Sequence, residues 1–102
     1  MHAVEVVETG GPEVLRYVEK PTPEPGRGEV LIEADAIGVN YIDTYFRSGL
    51  YPRELPFVVG TEVCGTVTAV GEDVAAIKAG DRVVTANAAG AYADLCTAPA
   101  DF

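Results

Sequence analysis

The alternation of apolar and polar side chains is clearest over residues 29–39, Glu-Val-Leu-Ile-Glu-Ala-Asp-Ala-Ile-Gly-Val. Val30, Ile32, Ala34 and Ala36 recur at every second position. The pattern predicts a long strand with these four on its core face and Glu33 and Asp35 turned to water. Gly38 predicts a bulge or a close backbone approach near its end. Similar runs predict strands at 2–7, 14–18, 62–70, 82–85 and 91–97. Gly-Gly-Pro-Glu at 10–13 joins the first two of these into a hairpin, and turns follow at 71–74 and 78–81. Residues 40–49 break the alternation. Ile42, Tyr45 and Phe46 fall at i, i+3 and i+4, which predicts one or two helical turns closed by Gly49. Residues 50–60, with Pro52, Pro56 and Gly60, read as a loop, and Asn87–Gly90 as a flexible link. Pro21, Pro23 and Pro25 impose extended backbone on 20–28, a surface connector more readily than a docking segment for a proline-recognising module.

Many short strands and one helix predict a mostly β fold, a sandwich or a partly open barrel, in one domain without internal repeats. The chain stops just past its last predicted strand. The expectation is an exposed edge or a missing wall, to be covered by a partner, a second copy or a longer parent chain.

Composition narrows the function classes. The 102 residues contain no tryptophan and are 48% hydrophobic, so valine and alanine must fill a finely packed core. Sixteen acidic residues against seven basic ones give a formal charge of −9. That field disfavours nucleic acid and anionic membrane surfaces as partners. No run of eighteen apolar residues is present, and the N-terminus lacks the basic start and apolar stretch of a secretory leader. Cys64 and Cys96 make no disulfide framework; both sit in strand-like sequence and read as buried thiols, which points to the cytoplasm.

Several chemistries lack their residues. Gly60, Gly65 and Gly71 lie in and around a strand with no helix after them, so they form neither a dinucleotide-binding turn nor a phosphate loop. His2 is the only histidine, and no CxxC or HExxH spacing exists, so no metal is expected. Nothing brings His2 to a cysteine for covalent catalysis. The segment Asn40–Tyr51 stands apart, with Asn40, Tyr41, Asp43, Thr44, Tyr45, Arg47 and Tyr51 in close succession. Tyrosine suits a planar ring and asparagine offers both donor and acceptor, as a binding cleft needs. The alternative is structural: Tyr45 and Phe46 as core anchors, Asn40 as helix cap, and Asp43 paired with Arg47 at i, i+4. Spacing alone favours that structural account.

Longer motifs carry a resemblance. GVNYIDTYFRSGLYP, LPFVVGTEVCGTVTAVGEDV and AGDRV, with HAVEVVETGGPEVLRYVE before and GAYADLCTAPAD after, resemble the N-terminal catalytic portion of the zinc-independent, zeta-crystallin-like quinone oxidoreductases. These belong to the medium-chain dehydrogenase/reductase superfamily. The similarity spans essentially the whole chain. VNYIDTYFRSGLYP is specific to the quinone reductase branch, whereas GDRV belongs to the wider superfamily. The resemblance implies a GroES-like, partly open β-barrel that is incomplete without later chain. Residues 1–102 would be the N-terminal part of the catalytic (substrate) domain, with the Rossmann nucleotide-binding domain absent. It implies an NADPH-dependent parent enzyme that passes hydride to quinones or similar conjugated carbonyls without zinc, and that forms a homo-oligomer, a dimer. Asn40 and Thr61 stand where zinc-dependent relatives place a cysteine and a histidine ligand, and the structural-zinc lobe has no counterpart in 84–92. Asn40 and Tyr45 would face the nicotinamide, Tyr51 and Thr61 the substrate. Asp43 and Arg47 would hold the cleft wall, and Glu62 would be a buried carboxylate paired with a basic group of the other domain. No residue is implied as a general acid. An enone or enoyl reductase, and a non-enzymatic GroES-like binding or assembly module, are the alternative readings. The isolated chain is expected to be inactive.

Overall fold

In the computed structural model, which describes residues 1–101, the strands form two antiparallel sheets. The elements are β1 (His2–Val6), a 3-10 turn (Pro12–Val14), β2 (Arg16–Glu19), β3 (Glu29–Gly38), α1 (Tyr41–Ser48), β4 (Phe57–Val58), β5 (Glu62–Val70), β6 (Arg82–Thr85) and β7 (Leu95–Pro99). One sheet has the order β2-β1-β4, the other β6-β5-β3-β7. They do not merge into a continuous barrel, in keeping with the partly open architecture expected from sequence. The connection between them runs through 91–94. Val4 N–H donates to the Tyr92 carbonyl at 2.8 Å, Asp94 N–H to the His2 carbonyl at 3.0 Å, and Ala34 N–H to the Asp94 carbonyl at 3.0 Å.

The long strand is where pattern and structure diverge most usefully. Val30 and Ile32 are buried as predicted, at 2% and 1% exposure. Ala34 is only half-buried and Ala36 is exposed. The cause is the register with β5. Ala34 pairs with Gly65 and Ala36 with Cys64, so Asp35 is an extra residue on β3. Such a bulge turns the faces over and bends the strand. Past it neither face is well covered: Ala36, Ile37 and Val39 are all exposed. Gly38 lies beyond the bulge, and the Glu62 side chain packs directly over its backbone, where a Cβ would collide. That is the close approach which the glycine predicted.

Two apolar clusters result. The larger joins Val30, Ile32, Val63, Val67, Cys96 and Ala98 between β3, β5 and β7. The smaller holds Val6, Val14, Phe57 and Val59, with Leu15, Phe46 and Tyr92 against it. Other boundaries moved for local reasons. Val14 is drawn into the smaller cluster at the end of the 3-10 turn, so β2 begins at Arg16 rather than at residue 14. The expected loop at 50–60 contains β4, whose two residues pair with Glu5 and Val6 of β1. The last strand runs over 95–99 instead of 91–97, because 91–94 is spent bridging the sheets. Cys96 is buried as expected, whereas Cys64 is only partly covered.

Candidate functional site

Helix α1 is built as the sequence predicted at both ends. Asn40 is its N-cap in extended backbone, and Gly49 closes it with a φ of 88°. Its packing is not that of an ordinary amphipathic helix. Ile42 is exposed, and the buried side chain of α1 is Asp43, at 3% exposure. Its carboxylate organises the neighbourhood. Asp43 Oδ2 accepts from the Asn40 backbone N–H at 3.0 Å and from the Tyr92 hydroxyl at 2.8 Å. The first bond caps the helix from its third residue, and the second ties it to the bridging segment. Burial, reinforced by the Asp43 hydrogen bond and charge, holds the Tyr92 hydroxyl well above the usual phenol range. Asp43 Oδ1 is buried without a partner among the described residues.

The expected Asp43–Arg47 pair does not form. Arg47 Nε instead donates to the Gly10 carbonyl at 3.2 Å, pinning α1 to the β1–β2 connection. Tyr92 drew no attention in the sequence, although a tyrosine drawn toward a core needs a hydroxyl partner. That requirement was the available signal.

The sequence-predicted site residues fall into two groups. The Asn40 side-chain amide donates to Glu62 Oε1 at 2.8 Å, which links the helix start to the residue after Thr61. The Thr61 carbonyl accepts from Ala88 N–H at 2.9 Å. Asn40, Asp43 and Tyr92 line a small cavity of about 180 Å³ with Leu15, Arg47 and Val59. Tyr45 of α1 and Tyr51, just past the helix end, lie together. Their rings meet edge to face at 5.2 Å, and Tyr51 also meets Phe46 at 6.0 Å. Arg53 extends this group, its guanidinium 4.1 Å from the Phe46 ring centroid. The aromatic group suits a planar ligand, because offset and edge contacts are favourable for rings.

At the N-terminus of α1 the Asp43 carboxylate takes up the Asn40 N–H and places a negative charge there, which disfavours an anion at that helix start. Among the described residues no group of three or more His, Cys, Asp or Glu side chains is placed to hold a metal ion. None of their helices is long and apolar enough to cross a membrane.

An open antiparallel barrel with a capped helix at the gap between its sheets is the architecture of a GroES-like module. The chain belongs to the family described as the alcohol dehydrogenase GroES-like domain, whose model matches residues 26–102. Its relatives bear out the resemblance to quinone oxidoreductases. It is 70% identical to a mycobacterial quinone oxidoreductase, with a TM-score of 0.95 over 97% of this chain and 31% of that one. Against Escherichia coli quinone oxidoreductase, solved in complex with NADPH, identity is 50% and the TM-score 0.94, over 99% of this chain and 32% of that one. The Homo sapiens quinone oxidoreductase is 45% identical over 102 residues, 96% of this chain and 31% of its own length. The chain thus spans about a third of the length of the curated relatives it matches.

Proposed function

We propose that this chain is the N-terminal part of the substrate-side domain of an NADPH-dependent quinone oxidoreductase. The observation that carries the reading is identity of 45% to 70% to proteins of that name over nearly the whole chain. The dinucleotide would be held by a Rossmann domain outside residues 1–102, in keeping with the Asp43 carboxylate at the start of α1, which disfavours a phosphate there. The bound nicotinamide supplies the hydride. This chain supplies a ring-binding surface: Tyr45 and Asn40 toward the nicotinamide, Tyr51 and Thr61 toward the acceptor. The Tyr45 and Tyr51 rings orient the acceptor, and hydroxyl donors stabilise charge developing on its oxygens.

The chemistry of the side chains supports a zinc-independent reaction. Asn40 has its amide engaged by Glu62, and a threonine hydroxyl at 61 is a poor zinc ligand beside thiolate or imidazole. Without a Lewis acid, the acceptor must itself take up hydride readily, as a quinone does. The protein is placed in the cytoplasm as a homodimer on the same reading. An enone as acceptor would use the same surface, and a non-enzymatic module would not require it.

The test has two parts. In calorimetry the 102-residue chain should not bind NADPH, and tight binding would overturn the division of labour. In the protein extended to the length of its relatives, Ala at both Asn40 and Tyr45 should impair NADPH-dependent quinone reduction. Unchanged kinetics would remove those residues from the cleft.

A further inference from the structure

Arg53 and Arg16 are the two basic side chains with neither a carboxylate partner nor a hydrogen bond among the described residues, and of the two only Arg53 lies over aromatic rings. Lys20, Arg27, Lys78 and Arg82 are paired with Glu5, Glu72 and Asp73, Asp81, and Asp35 respectively. Arg47 is committed to the Gly10 carbonyl. Arg53 has no carboxylate partner among the described residues. It is held instead by aromatic faces, 4.1 Å from the Phe46 centroid and 5.6 Å from that of Phe57. These cation–π distances hold the guanidinium against apolar rings, which do not consume its hydrogen-bond donors.

Arg53 lines a cleft of about 500 Å³ together with the segment Asn87–Gly90. Its walls are apolar at Phe57, Val58 and Ala88, and none of its lining residues is acidic. In a chain with sixteen Asp and Glu residues, this is a local reversal of the field. Glu54 follows Arg53 in sequence and is exposed, but it does not line the cleft. Asn87 also lines this space, and its side-chain amide makes no hydrogen bond among the described residues, its backbone N–H being used on Thr85 Oγ1. The floor depends on Gly90. Its φ of 77° places it against Val58, where a Cβ would come within 2.8 Å of the Val58 side chain.

We propose that this cleft binds the anionic substituent, a sulfonate or carboxylate, of a planar aromatic ligand. Arg53 and Asn87 donate to its oxygens, and its ring lies on the apolar wall. Phe46 joins Arg53 to Tyr51 and Tyr45 without a break, so the cleft continues the surface proposed to receive the acceptor. The inference rests on that reading for its choice of ligand, and it makes Arg53 a specificity-determining residue that favours acidic quinones over neutral ones. A planar fork of donors suits a multi-oxygen anion, and the stacked ring offsets the side-chain entropy that weakens most exposed arginine pairs.

The test is titration of the isotopically labelled 102-residue chain, followed by amide chemical shifts, with three probes. These are anthraquinone-2-sulfonate, its neutral 2-hydroxymethyl analogue, and inorganic sulfate. The sulfonate should bind about fivefold more tightly than the neutral analogue, the effect of one exposed charge-assisted contact. Shifts should concentrate at Arg53, Phe46 and 87–90, and the preference should fade with added salt. Arg53→Gln should abolish the preference with the spectrum otherwise intact. Arg53→Lys, which keeps the charge and loses the fork, should retain only part of it. Equal binding of both anthraquinones, an unchanged preference in Arg53→Gln, or sulfate binding as well as the aromatic sulfonate would each overturn the proposal. These measurements need no nicotinamide. Loss of the anion preference therefore refutes this inference alone, and failure of the longer protein to oxidise NADPH refutes the reductase reading alone.

Discussion

The β3–β5–β7 sheet and helix α1 are held in place by opposite means. The sheet is fixed by apolar burial, with Ile32, Val63, Val67 and Cys96 sealed from water. The helix buries a carboxylate and leaves Ile42 exposed. Its position is set by directional bonds: Asp43 to Tyr92 and to the Asn40 N–H, Arg47 to Gly10, and Asn40 to Glu62. Apolar packing is non-directional and tolerates volume-conserving exchange. A hydrogen-bonded hub specifies angle and distance, and fails when any member is lost. The molecule uses the first for bulk stability and the second to fix the position of the helix that carries Asn40 and Tyr45.

That contrast can be broken from either side. The largest effect is expected in the sheet. Ile32→Ala should lower unfolding stability by about 3 kcal/mol through lost burial and a residual cavity, measured by urea denaturation as a shift of a single global transition. Asp43→Ala should cost about 2.5 kcal/mol, since the Tyr92 hydroxyl and the Asn40 N–H would both lose their acceptor. Hydrogen exchange separates the two variants: in Asp43→Ala, protection should collapse first in α1 and at 91–93, with β3 and β5 little changed. Uniform loss of protection across the chain would erase the distinction drawn here.

The third prediction concerns pH. Burial pushes the Cys96 thiol up to about 11 from 9.0. A group whose pKa is raised by folding binds its proton more tightly in the folded chain. Its contribution is therefore complete below pH 9, where both states are protonated, and is lost as pH rises toward 11. Stability should fall by on the order of 2 kcal/mol over that window. Denaturation midpoints at pH 8 and pH 11 check it. Cys96→Ala should be less stable at pH 8 but flatter through the alkaline range; an equally steep decline in that variant would assign the effect to other groups.

Local pattern carried most of the element content. The i, i+3, i+4 spacing and terminal glycine located α1 to within a residue, because capping is a local property. Alternation located β3 and β5 for a similar reason. What failed were inferences requiring knowledge of the neighbour. Ala36 left the core face because Asp35 is extra relative to β5, and no sequence period reports a cross-strand register. Asp43 took Tyr92 rather than Arg47 because a partner 49 residues away reached it. The pair β1–β4 was invisible because two residues are too few to show a period.

The same division holds for the site. By itself the sequence determined the fold class, the acidic surface, the capped helix and the family motifs, all of which depend on residue type and short spacing. Tertiary structure alone decided that Asn40 engages Glu62, that Tyr45 and Tyr51 share a surface with Phe46, and that Arg53 stands unpaired beside an apolar cleft. These juxtapositions come from a bulge, a bridging segment and the approach of two sheets. Each depends on distances between residues remote in the chain, which composition and periodicity do not encode.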